Sequence, residues 1–176
     1  VFGSSMDSMT IRITGGIDLS TGEKLKGVMA MTSTFDESVV SDAPLVMSPL
    51  TTLLSSATDD TEREDIRTAM GIESDEDLRV DFSAADSDKN KRLLANAVAV
   101  QTMMDILTGS ADADSTETAA QQKLIKSLSK SIATNKKAPA EFDTEMLTSL
   151  VSDVSTDTTK QGSVSARLLD LNKEIN

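Results

Sequence analysis

The amino-acid sequence predicts a mainly α fold: a helical bundle of about five helices around a central apolar helix, with a small N-terminal β segment of two to three short strands. Three observations predict it. Lys91–Leu107 is apolar on nearly every side, because Leu93, Leu94, Ala97, Val98, Val100, Met103, Met104, Ile106 and Leu107 cannot share one narrow stripe. A helix of that kind is normally enclosed by other elements. Amphipathic segments with helix-start and helix-stop residues flank it on both sides. Period-two alternation, by contrast, is confined to the N-terminal part. Residues 1–47 are therefore read as the β segment, either the end of a β-domain or a donated strand, and 48–176 as the bundle.

In order, Met9, Ile11 and Ile13 alternate with Thr10, Arg12 and Thr14, which predicts a strand over 9–14 with one buried face, ended by Gly15-Gly16. A second strand is expected over Leu25–Ser33 and a third, short one over Pro44–Met47. Three short strands make a poor free-standing domain. They either lean on the helices or complete a sheet with strands from elsewhere. Ser48-Pro49 then opens a helix, with Ser as N-cap and Pro at the first position. Thr61 and Glu64 have capping-box spacing for a helix to Met70, stopped by Gly71 with Ile72 as the apolar contact beyond. An acidic loop over Glu73–Asp81 leads to the central helix, capped by Asp86 or Ser87 and closed by Gly109.

A helix from Asp114 to about Thr134 follows, with Glu117 completing its box and Leu124, Leu128 and Ile132 as its apolar stripe. Lys123, Lys126 and Lys130 take its solvent side. After the linker at Lys136–Pro139, Asp143 caps a shorter helix that uses Met146, Leu147, Leu150, Val151 and Val154. Residues 155–162 read as a polar connection ending in Gly162, and Val164, Leu168, Leu171 and Ile175 as the stripe of a last helix.

Composition narrows the functions. The net charge is −12, which argues against nucleic acid, whose phosphates demand basic patches. It argues equally against an anionic membrane surface. Aromatic residues are 2% of the chain, all Phe, so Leu, Ile, Val, Ala and nine Met must build the core. No apolar run approaches the roughly 20 residues of a membrane-spanning helix. The chain has no Cys, which suits the cytosol and bacterial surface proteins alike. No signal peptide is visible, but the chain opens on Val1 and is expected to be a processed product, an excised domain or a remnant.

The chemistry is sparse. With neither His nor Cys, soft-metal sites lose their usual ligands and His-dependent triads are excluded. Ser127-x-x-Lys130 has the spacing of some acylating enzymes, yet it falls on the solvent side of a helix with no companion motif. Asp86, Asp88 and Asn90 resemble the start of a calcium loop, but Lys91 stands where Gly is required and Ala97 where Glu is required. Asp112, Asp114 and Glu117 fail the same test, and carboxylates at helix N-termini have an ordinary electrostatic explanation. Asp75, Glu76, Asp77 and Asp81 either form a solvated loop or gather a hard cation. No residue is assigned to catalysis or to a cofactor, and calcium is the one metal left open.

Some of these residues carry a family resemblance. Gly16-Ile-Asp-Leu-Ser-Thr-Gly22, Gly27, Val46-Met-Ser-Pro-Leu-Thr-Thr-Leu-Leu54 and the stop Met70-Gly71-Ile72 occur in that order, followed by the Ala-, Asn- and Val-rich Leu94–Gln101. The pattern resembles a helical module of large secreted or surface-attached bacterial proteins of the adhesin type. Its most specific part is Ser48-Pro-Leu-Thr-Thr-Leu53. The resemblance implies an immunoglobulin-like or transthyretin-like β-domain ahead of the module, and no enzymatic activity. It also makes Asn96 and Gln101 expected pins between the central helix and the turn at Ser48-Pro49.

The expected function is thus a non-enzymatic extracellular structural or adhesive module of a bacterial surface protein. The alternative is a self-assembling extracellular filament subunit that donates its N-terminal strand, Phe2–Thr14, to a neighbouring copy by β-augmentation. Either way the expected partner is a protein or a second copy, met through that strand. An enzyme built on paired carboxylates is the remaining class; it would want aromatic sugar platforms, and there is no Trp or Tyr.

Overall fold

A computed structural model describes residues 9–15, 28–33, 46–79, 87–108, 117–155 and 157–175. The alternating segments form β1 (Met9–Thr14) and β2 (Val28–Ser33), paired antiparallel with Arg12 opposite Ala30 and Ile13 opposite Met29. No strand forms at Val46–Met47, which is irregular chain, and Pro44 and Leu45 lie outside the described residues. Ser48 already commits the backbone there to capping a helix. The buried face expected of β1 is also corrected. Ile11 is half-buried and Ile13 is 48% exposed, because β2 and not β1 lies against the bundle.

Six α-helices follow among the described residues: α1 (Pro49–Ser56), α2 (Asp60–Met70), α3 (Asp88–Thr108), α4 (Glu117–Asn135), α5 (Thr144–Val154) and α6 (Thr158–Ile175). Single 3-10 turns lie at Asp75–Leu78 and Pro139–Glu141. The mainly helical class with a small N-terminal sheet is therefore the observed one.

Most ends follow the local chemistry. Ser48 Oγ accepts the Thr51 N–H at 3.2 Å and Thr51 Oγ1 accepts the Ser48 N–H at 2.8 Å, a reciprocal box that starts α1. Gly71 takes φ +72° and donates to the Thr68 carbonyl, while Ile72 N–H reaches the Arg67 carbonyl at 2.9 Å. Ser87 caps α3 through the Asn90 N–H, and Asp143 caps α5 through the Met146 N–H. Asp86, Gly109, Asp112 and Asp114 lie outside the described residues.

Two ends differ from expectation. The cap of α2 is Asp59, whose Oδ1 accepts the Glu62 N–H at 2.8 Å, and Glu62 reaches back to the Thr58 N–H at 2.7 Å. Asp59, Asp60 and Thr61 are all capping types. The earliest one wins, since it extends the helix and leaves Thr61 inside it. At the other end, α6 begins at Thr158 and runs through Gly162. A glycine inside a helix costs only about 1 kcal/mol, less than burying Val164 and Leu168 returns.

The core is aliphatic, with Leu50, Leu53, Ile66, Met70, Leu93, Met103, Leu107, Leu124, Leu128, Ile132, Leu147 and Leu150 fully enclosed. α4 packs against α1, α2, α3, α5 and β2, whereas α3 packs against α1, α4, α6 and the turn at Pro139–Glu141. The most enclosed position is therefore shared with α4. α3 keeps a solvent stripe on which Leu94 is 37% and Val98 51% exposed. Those two residues stand in line with Gln101 and Asp105, at i, i+4, i+7 and i+11, and the polar members draw the stripe outward.

Candidate functional site

The element singled out by resemblance, Ser48–Leu53, is the joint between hairpin and bundle. Its residues divide the work. Ser48 and Thr51 close the capping box, Pro49 supplies the first-turn φ, and Leu50 and Leu53 enter the core at 0% and 1% exposure. Thr52 makes the bridge. Its hydroxyl donates to the Ser48 carbonyl at 2.8 Å and accepts the Ala30 N–H of β2 at 3.0 Å. Helix α1 thereby supplies a side-chain acceptor to one N–H on the outer edge of β2.

Ser129 of α4, fully buried, donates to the Leu53 carbonyl at 3.2 Å and meets Ser56 Oγ, tying the end of α1 to α4. Thr52 falls within the Ser48–Leu53 element, with no role expected of it, and Ser129 is a defining position of no motif. The available signal was a polar residue on an apolar stripe: Ser129 sits four residues after Ile125 and three before Ile132.

Met29, Pro49, Thr52, Leu53, Val100, Gln101, Met104 and Ile125 line a cavity of about 20 Å³ beneath the hairpin. That is room for about one water molecule and far below the roughly 300–1,000 Å³ of a ligand pocket. Ser127 and Lys130 do not line it; Lys130 is exposed and Ser127 half-buried on α4.

Asn96 and Gln101 do not act as expected. Asn96, 5% exposed, donates from Nδ2 to the Met70 carbonyl at 2.9 Å, so it pins α3 to the end of α2 instead of to Ser48-Pro49. Gln101 bonds Asp105 on its own helix at 3.0 Å, though it does border the cavity beside Pro49. The difference is geometric. Asn96 lies on the buried side of α3, facing a carbonyl that the α2 stop has freed from helix bonding.

Where it is described, the acidic stretch is a short 3-10 turn whose Glu73 and Glu76 side chains stand in solvent. Ser74 leads into the 3-10 turn, and Asp77 Oδ2 accepts the Glu73 and Ser74 N–H groups at 2.8 and 3.0 Å. Lys89 Nζ lies 2.8 Å from both Asp77 and Glu73, occupying the place a hard cation would take. Burial pushes the Asp77 carboxyl upward, but Lys89 and the two N–H groups outweigh it and hold it below the usual carboxylate range. Hydrogen bonds to Asp77 and Glu73 raise the Lys89 ammonium in turn. Glu76 pairs with Arg79 at 3.9 Å, and Asp81 lies outside the described residues.

Among the described residues, Asp and Glu form no group of three that could hold a metal ion, and no helix is long and apolar enough to cross a membrane. Arg12 and Thr10 are exposed on β1, beside the exposed Ile13. The candidate site is thus the exposed outer strand of the hairpin, with a neutral, buried joint behind it. Comparison with known protein families, with curated proteins and with solved structures finds no match to this chain.

Proposed function

We propose that the chain is a non-enzymatic structural or adhesive module of an extracellular bacterial surface protein, meeting its neighbours through the N-terminal hairpin. The observation that carries this reading is the Thr52 bridge. It fastens a strand edge to a helical bundle with a buried neutral hydrogen bond, which holds the hairpin in one orientation for a partner. The acidic surface and the resemblance of Ser48–Leu53 to adhesin-type modules support it. The test is detection with an antibody to the bundle on intact cells of the source organism, together with protease shaving. The protein is expected to be accessible and shaved; confinement to the cytosolic fraction would overturn the reading.

A second reading, a filament subunit that donates its N-terminal strand, is favoured by the exposure of β1. Deleting residues 1–14 is expected to abolish assembly, and filaments that persist without them would sink it.

A further inference from the structure

We propose that the occupant of the β1 edge is β1 of a second copy, paired antiparallel about a two-fold axis centred on Ile11. This gives a closed four-stranded sheet with the two β1 strands in the middle. The proposal rests on the reading of the hairpin as a partner-binding edge and commits that edge to one partner.

The direction of the backbone groups comes first. Ala30 N–H points away from β1, to Thr52 Oγ1 at 3.0 Å. Arg12 lies opposite Ala30, so theirs is the close kind of antiparallel pair, in which neither residue bonds the other. The equivalent pair two residues on, Thr10 and Thr32, shows the short side-chain approach expected of it, with the hydroxyls 2.9 Å apart. The N–H and C=O of Thr10, Arg12 and Thr14 therefore point outward, while Met9, Ile11 and Ile13 serve the ladder to β2. Among the described residues the sheet has no third strand.

The side chains then choose the partner. Ile11 and Ile13 share a face with Met29, which lines the cavity over α3. A strand added to β1 continues that face only if it carries apolar residues at alternate positions and polar ones between. Met9–Thr14 is itself such a strand. An axis at Ile11 pairs Thr10 with the partner's Arg12, sets Ile11 against the partner's Ile11, and keeps the pairs of Met9 to Ile13 within β1, with Thr14 beyond them. An axis at Arg12 would oppose two like charges, and one at Ile13 would run the strands past their ends at Gly15.

The interface is isologous, so assembly through this edge stops at two copies. It is also short, six residues a side, and joins two chains of net charge −12. The pair is therefore weak at low ionic strength and tightens as salt screens the repulsion.

The test uses the full 176-residue chain in sedimentation velocity at rising concentration, at low salt and at about 0.5 M salt. A monomer–dimer equilibrium favoured by salt is expected. Because the chain has no other Cys, Ile11→Cys should oxidise to a cross-linked dimer while Ile13→Cys should not. Arg12→Pro removes an outward N–H and no ladder bond. It should weaken the dimer about tenfold or more and abolish the Ile11→Cys cross-link, with the far-UV spectrum and melting of the bundle kept. A monomer at every concentration with no Ile11→Cys cross-link overturns the two-fold pair, and cell-surface exposure then still decides the broader reading independently. Species larger than a dimer also overturn it, in favour of open filament growth.

Discussion

The hairpin joint and the corner between α2 and α3 both hold non-helical chain against the bundle, the first with neutral buried groups and the second chiefly with charges at the surface. At the joint, one hydroxyl of Thr52 links the Ala30 N–H to the Ser48 carbonyl, and Ser129 links α4 to the end of α1. At the corner, Lys89 gathers Glu73 and Asp77 while their side chains remain partly in water. Asn96, reaching the Met70 carbonyl, gives the corner a buried neutral tie. A buried donor or acceptor left without its partner loses its full desolvation cost, whereas an exposed ion pair exchanges one set of partners for water and counterions. Residues that look equally polar in sequence should therefore differ severalfold in what they contribute.

Asn96→Ala should break the comparison hardest. It leaves the Met70 carbonyl unpaired and opens a gap in a buried site, at a cost of about 2–4 kcal/mol in urea unfolding. A value below about 0.5 kcal/mol would mean that the corner rests on its charges after all. Thr52→Val keeps the shape and strands the Ala30 N–H; about 1–3 kcal/mol is expected, with Thr52→Ser recovering most of it.

Gly71→Ala comes next, at about 1–2 kcal/mol, since φ +72° is disfavoured for any residue with a Cβ. The atoms nearest the added methyl belong to the end of the Arg92 side chain, which can move aside. Its unfolding midpoint should drop with no change in the slope of the transition.

Asp77→Asn should have the smallest effect, under about 1 kcal/mol, and should lose it in about 1 M salt while the Thr52→Val effect persists. pH separates the two regions further. Asp77 is held below its ordinary 3.8, so its contribution is present above that value and lost as pH falls through the lower folded value. Lys89 is held above its ordinary 10.5, so its contribution is present below that value and lost as pH rises through the higher folded one. Wild type and Asp77→Asn should therefore converge in acid, while the Thr52→Val difference stays constant.

What could be read from the sequence was local. Ser48-Pro49, Gly71-Ile72 and Asp143 mark helix ends because their chemistry acts within three or four residues, and the alternation over 9–14 needs only its own period. The mainly helical class follows from those signals, as does most of the aliphatic core. Competition among neighbours blurred the rest: three capping types in a row hid the start of α2, and a tolerated Gly162 looked like a stop.

Only the tertiary structure decided which surfaces those elements present. It placed β2 inside and β1 outside, because Thr52 reaches across from a helix twenty-two residues away. It turned Leu94 and Val98 outward, because Gln101 and Asp105 share their stripe. It sent Asn96 to Met70, twenty-six residues distant, because that carbonyl lies at a helix end facing α3. Side-chain identity sets what a residue can bond; its partner depends on which long-range approach leaves a donor or acceptor without water.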